Sequence, residues 1–249
     1  LKAFVAEAKM LGELSHLGLV GCSGVAKYEL VADSGKFAFF SKLELIDGAT
    51  LQEILDAGRP FPESDALQIV LEVAEVLKYL AGEAIVHRDV KPGNVMFTAE
   101  RRVKLIDLGF AAEGGAPAAS DDSASGTKEY LSPEQARGGA IADERSDIYS
   151  LGVTLFQLVI GRLPFEGEDD QDMLRKQIME RLSSPELKSQ GFSPHLHYFI
   201  EKMMAKEIEV RYQGFEQLIT DVKEQLAGFD SLDYSKPSAK GPVRRPRRR

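Results

Sequence analysis

The feature that most constrains this chain is a pair of short motifs, His87-Arg88-Asp89-Val90-Lys91-Pro92-Gly93-Asn94 and, thirteen residues after Asn94, Asp107-Leu108-Gly109. Together they put two carboxylates, a carboxamide and an ammonium on two loops that lie close in sequence. Val95-Met96-Phe97 and Val103-Lys104-Leu105-Ile106 flank those loops and predict two short strands that hold them rigid. Phosphoryl transfer asks for such a set. One carboxylate takes the proton of an incoming hydroxyl, a second carboxylate and the amide hold a metal, and the ammonium offsets phosphate charge. Asp-Leu-Gly alone is a common turn, and His-Arg-Asp alone occurs by chance; the order and spacing of the two together give the signal its weight.

Bulk composition sets outer limits. The 249 residues are 43% hydrophobic and 28% charged, which is ordinary for a soluble globular chain of one or two domains. No apolar run reaches membrane-spanning length; the longest, Ile148 to Gly161, is interrupted by Ser150, Thr154 and Gln157. No secretory signal pattern opens the chain. A single cysteine, Cys22, rules out an internal disulfide, suits a reducing cytosol, and reads as a small buried apolar side chain. The net charge of −8 is uneven, because residues 236–249 hold seven Lys or Arg and no acid. The rest carries 24 basic against 39 acidic residues, a balance of −15 that argues against nucleic acid as a specific partner. The terminal run Arg244-Arg245-Pro246-Arg247-Arg248-Arg249 reads as a disordered basic tail. Two readings of it stay open: a nonspecific anion-binding tail, or the cytoplasmic flank of a membrane helix lying past residue 249.

Periodicity orders the remainder. Phe4, Val5, Ala8, Leu11 and Leu14 share one side of a helix over residues 2–14. Alternation around 25–31 and 36–45 predicts two strands joined at Asp33-Ser34-Gly35. From Thr50 the pattern turns helical. Ser64 is the expected N-cap of a long helix to Ala81, apolar nearly all round and therefore buried. Residues 112–126 read as a mobile loop. Further helices are expected near 146–160, 170–182, 194–204 and 213–227.

With these motifs in place, the chain resembles eukaryotic-type protein kinases, from about residue 1 to about residue 227. The run Tyr130-Leu131-Ser132-Pro133-Glu134-Gln135-Ala136-Arg137-Gly138 is similar to that of the bacterial serine/threonine branch. The resemblance implies an α+β, two-lobe fold: part of a small lobe over 1–46, a mostly helical large lobe over 47–229, and the tail over 230–249. It implies that Asp89 is the base, that Lys91 contacts the transferring phosphate, and that Asn94 and Asp107 hold Mg2+. Leu108 stands where Phe is usual. Thr127 is implied to bond near Asp89 and Lys91, with His87 and Arg88 structural. Glu134 is implied to pair with Arg211, and Asp147 to hold the catalytic-loop backbone. The stretch Leu43 to Gly48 resembles the hinge that binds adenine of ATP, which assigns Glu44 and Leu45 to the nucleotide together with Met96, and Leu43 to the gatekeeper position. Ser120, Ser123 and Ser125 are implied phosphorylation candidates beside Arg88; a plain solvated loop is the competing reading, with Asp121 and Asp122 as partial stand-ins for phosphate.

Glu7 resembles the helix glutamate that pairs with the ATP-binding lysine. That lysine and a Gly-x-Gly-x-x-Gly loop occur nowhere in this sequence. The expectation is therefore a fragment lacking three strands of the small lobe, a weak ATP binder as it stands, whose parent is an active cytoplasmic kinase acting on Ser/Thr of proteins. Membrane attachment of the parent and a kinase dimer accompany that expectation. A pseudokinase or interaction scaffold is the alternative. A small-molecule phosphotransferase is disfavoured by Lys91 and by residues 126–134.

Overall fold

A computed structural model of the chain describes residues 2–29, 37–113, 127–138, 142–182 and 191–232, and the structural statements below concern these residues. Helix α1 (Lys2–Glu13) leads into a hairpin of β1 (Cys22–Glu29) and β2 (Phe37–Leu43). These strands pair antiparallel from Cys22 opposite Leu43 to Glu29 opposite Phe37, with a register shift between Cys22 and Val25. A short strand, β3 (Gly48–Thr50), then runs straight into α2 (Leu51–Asp56). Thr50 caps α2 through a reciprocal pair with Glu53, so two orphan N–H groups are satisfied where strand becomes helix. Gly48 is required there, since a Cβ would lie 2.5 Å from the Phe97 carbonyl oxygen.

The long helix α3 spans Glu63–Gly82. It begins one residue before Ser64, with Pro62 at the cap position and no side-chain cap, so Ser64 lies in the first turn instead of capping it. Proline's fixed φ fits the helix entrance without a capping hydroxyl. Ten of its residues, among them Leu67, Val70, Ala74, Leu77 and Leu80, are buried, as expected for a helix apolar on most sides.

After α3 come β4 (Ile85–Val86), a 3-10 turn at Pro92–Asn94, β5 (Val95–Thr98), β6 (Val103–Leu105) and β7 (Ala112–Glu113). Strands β3, β5 and β6 form one antiparallel sheet, in which Met96 faces Thr50 on one side and Lys104 on the other. β4 pairs with β7. A 3-10 turn at Lys128–Tyr130 precedes α4 (Pro133–Ala136) and α5 (Glu144–Ile160). Then follow α6 (Asp170–Met179), α7 (Pro194–Met203) and α8 (Phe215–Leu232).

Helix α5 is buried along almost its whole length and ends on Gly161 at φ 83°, the left-handed cap that glycine adopts without penalty. Gly152 permits its close crossing with α7, because a Cβ there would sit 2.7 Å from Met203 Cβ. Helix α8 continues to Leu232, beyond both the expected end at 227 and the tail boundary at 229. Its apolar side packs on α3, with Leu226 and Phe229 against the core. The candidate phosphorylation sites Ser120, Ser123 and Ser125, the turn at 33–35 and the basic run 244–249 lie outside the described residues. No described helix is long and apolar enough to cross a membrane.

Candidate active site

The reacting groups lie on the loop between β4 and β5. Arg88 sits at φ 70°, a left-handed conformation that a non-glycine residue holds only when its surroundings fix it. Asp147, in the first turn of α5, supplies the restraint. Its carboxylate accepts the His87 and Arg88 backbone N–H groups, each at 2.8 Å. Gln135 adds a bond to the Arg88 carbonyl at 3.3 Å. Burial pushes the Asp147 carboxyl up to about 7, against the pull of those two N–H donors and of the Arg88 charge. Burial likewise holds His87 down at about 4, so its imidazole is neutral near pH 7. His87 Nδ1 accepts the Asp89 N–H at 3.3 Å. Its Nε2 faces the Asp107 backbone without reaching a hydrogen bond of normal geometry.

Asp89 is buried, and two side chains converge on its carboxylate. Asn94 Nδ2 donates to its Oδ2 and to its carbonyl, each at 2.8 Å. Lys91 Nζ pairs with Oδ2 at 2.7 Å and also donates to Thr127 Oγ1 at 2.6 Å. One carboxylate oxygen, Oδ2, thus takes both the amide and the ammonium, which leaves Oδ1 as the oxygen open to an acceptor's proton. A hydroxyl brought to that oxygen lies beside an ammonium poised to offset charge on a transferring phosphate.

The second loop adjoins the first through Ile106 N, which donates to the Asn94 carbonyl at 3.0 Å. Asp107 Oδ1 accepts the Gly109 N–H at 2.7 Å, fixing the turn. Asp107 Oδ2 and Asn94 Oδ1 have no donor among the described residues. Two unsatisfied oxygen donors of this kind suit a hard divalent cation that keeps waters and phosphate oxygens as its remaining ligands. Glu7 of α1 reaches the same turn. Its pKa is raised, first by burial and then by the Asp107 charge, against a bond from the Leu108 backbone. No Lys or Arg among the described residues pairs with it.

The remaining sequence-selected residues fall in two places. Glu134 and Arg211 meet below the catalytic loop in a buried two-bond pair, at 2.8 and 2.7 Å. Burial opposes the charge on Glu134, but the Arg211 guanidinium and a bond from Ser146 outweigh it and hold its carboxyl at about 2. Glu44 is turned away from the reacting groups. Its carboxylate pairs with Lys104 at 2.8 Å and accepts the Gly21 N–H at 3.0 Å. Leu45 is 96% exposed and Leu43 is exposed as well. Met96 lies half-buried on β5. A cavity of about 550 Å³ opens behind this stretch, lined by Leu14–Gly21, Glu44, Arg102 and Lys104; none of Asp89, Lys91, Asn94 or Asp107 borders it.

Sequence reading missed the polar side chains that back the site, the buried Tyr149 and Gln177 and the half-buried Lys206. Each is a common residue in an otherwise ordinary helix or loop, and only their meeting in space marks them.

Comparison with known proteins agrees with this geometry. Residues 1–222 match the protein kinase domain. The chain is 34% identical over 221 residues to the serine/threonine-protein kinase PknB of Mycobacterium leprae, covering 88% of this chain and 35% of that protein. It is 32% identical over 222 residues to PknB of Mycobacterium tuberculosis, covering 88% and 35%. It is 33% identical over 238 residues to the probable serine/threonine-protein kinase PknB of Lactococcus lactis, covering 94% and 37%. The chain thus spans about a third of the length of these curated relatives. With its mixed small-sheet and helical architecture, this chain belongs to the protein kinase domain family, in the bacterial branch of eukaryotic-type serine/threonine kinases.

Proposed function

We propose that the chain is the catalytic domain of a serine/threonine protein kinase that moves the γ-phosphate of ATP to Ser or Thr hydroxyls of proteins in the cytoplasm. The meeting of Asp89, Lys91, Asn94 and Thr127 within hydrogen-bond distance carries this reading. Asp89 orients the acceptor hydroxyl and takes its proton. Lys91 offsets charge on the transferring phosphate, and its bond to Thr127 keeps the ammonium beside Asp89. Asn94 Oδ1 and Asp107 Oδ2 hold Mg2+, which when bound neutralises phosphate charge. Glu44 and Leu45 present backbone to the adenine, and Met96 packs from below. The exposed Leu45, whose N–H has no acceptor among the described residues, supports that role. In this reading residues 1–46 belong to the small lobe, the large lobe begins at 47, and Ser120, Ser123 and Ser125 are phosphate acceptors.

Transfer of radiolabelled phosphate from ATP to a generic basic protein tests the proposal. Asp89→Asn should lower the rate by about 10²–10⁴-fold, because the general base is gone while the fold remains. Equal rates for the two proteins would sink it. Glu7, whose carboxylate takes a bond from the Leu108 backbone and faces Asp107 with no cation paired to it among the described residues, favours a second reading, a scaffold that binds nucleotide weakly or not at all. Titration with a fluorescent ATP analogue separates the two. Saturable binding that Asp107→Asn weakens supports the enzyme, and no binding up to millimolar analogue supports the scaffold.

A further inference from the structure

Thr127 begins a ledge, residues 127–131, that starts at the reacting groups, since its hydroxyl is held by the same ammonium that pairs with Asp89. A peptide presenting a hydroxyl to Asp89 has its neighbouring residue only about 3.8 Å away along the chain, within reach of this ledge. What fixes the ledge from behind is helix α6. Gln177 of α6 is fully buried, and its Nε2 donates to the Glu129 carbonyl and, at 3.5 Å, to the Lys128 carbonyl. Its Oε1 accepts the Tyr149 hydroxyl at 2.7 Å. Lys206 Nζ in turn donates to Tyr149 Oη and to the Gln177 carbonyl, each at 2.8 Å. Lys206 rests 4.4 Å from the centre of the Phe165 ring. At the near end of α6, Asp170 forms an ion pair with Lys128, which turns that side chain along the helix.

Every polar atom in this brace is committed. The Gln177 amide can neither flip nor withdraw without leaving the Tyr149 hydroxyl without its acceptor and the half-buried Glu129 carbonyl without a donor, while the Lys128 carbonyl keeps the Leu131 N–H at 3.4 Å. Tyr149 also lies under Arg211, with the guanidinium carbon 5.0 Å from its ring centre. The ledge is therefore anchored to the same buried pair, Arg211 with Glu134, that Ser146 bonds one residue before Asp147.

We infer that Gln177 is a positioning residue for protein-substrate recognition: braced by Tyr149 and Lys206, it sets the shape of the 127–131 ledge and with it the choice of the residue that follows the phosphoacceptor. The inference rests on the kinase reading above. Gln177→Glu is the sharp test. A carboxylate keeps an acceptor for Tyr149 but faces the two ledge carbonyls with a charge in place of a donor.

The probe is a set of fluorescent peptides with one Ser or Thr and every amino acid in turn at the following position. Binding is read by anisotropy on the 249-residue chain. Gln177→Glu should weaken the best peptides by about tenfold and flatten the preference at that position, with affinity for the fluorescent ATP analogue unchanged. Tyr149→Phe should move the same readout by a smaller factor in the same direction. An unaltered preference in Gln177→Glu would overturn the inference. So would parallel loss of peptide and nucleotide binding with a lowered melting temperature, which marks a structural role only. Peptide binding needs no phosphate transfer, so an inactive wild-type chain would defeat the proposed function and leave these measurements to decide Gln177.

Discussion

The helical body and the β1–β2 hairpin are built from similarly apolar sequence but end in opposite situations. Helices α3 and α5 are covered on nearly every side, and Leu67, Leu77, Leu80, Ile148 and Leu155 have at most 1% of their surface left. The hairpin keeps Tyr28, Phe37, Phe39, Phe40 and Leu43 exposed, Tyr28 at 63%. A two-stranded hairpin offers two faces and among the described residues packs chiefly on α1, whereas α3 has neighbours from α5, α8 and the β6 sheet. Apolar residues alone therefore do not make a stable region; partners on each face do. The catalytic loop is attached to the well-covered side. Asp147 of α5 holds its backbone, and the Glu134–Arg211 pair lies beneath it.

The largest expected contrast is in amide exchange. Protons of α3 and α5 should exchange only through global opening, at a cost of about 5–15 kcal/mol, while β1–β2 amides exchange through local opening at a small fraction of that. Hairpin amides as protected as those of α5 would break the comparison.

Next in size is the buried ion pair. Arg211→Met should cost about 3–5 kcal/mol by urea unfolding, because it leaves Glu134 charged, buried and unpaired. The double variant Glu134→Leu with Arg211→Met should recover a good part of that loss. If the double is as unstable as the single, the pair contributes more than mutual neutralisation.

The same pair predicts a pH dependence. Glu134 titrates at about 2 in the folded chain against 4.5 unfolded, so its contribution is complete above pH 4.5 and is lost as pH falls towards 2. The stability difference between wild type and Glu134→Gln should accordingly be constant from pH 5 to 7 and shrink below pH 4.5. A difference that stays flat down to pH 3 would contradict the depressed carboxyl. The smallest effect belongs to the hairpin: Phe40→Ser, at a site 50% exposed, should change stability by no more than about 0.5 kcal/mol. A loss above 2 kcal/mol would mean that the hairpin is covered after all.

Much of the fold was legible because period and motif coincide. The 3.6-residue spacing marked α1, α3 and the later helices, and β5 and β6 stood out as short β-branched runs on either side of a turn. Errors gathered at ends, where one or two side chains decide. Pro62 opens α3 without a hydroxyl cap, and α8 runs on to Leu232. Within the site, Asp89, Lys91, Asn94 and Asp107 were recognisable because their spacing is short and their chemistry is unusual for a loop. Tyr149, Gln177 and Lys206 were not, because they are far apart in sequence and each is ordinary alone.

The sequence by itself determined the family, since a local set of acids, amide and ammonium on one loop and its neighbour survives any packing that keeps the loops together. Tertiary structure alone decided how that set is held. Asp147, Gln177 and Arg211 act across 48 to 77 residues of chain, on the loop, the ledge and Glu134 beside it, through hydrogen bonds whose strength comes from burial. Burial is a property of the packed molecule, and no residue carries it in its own letter.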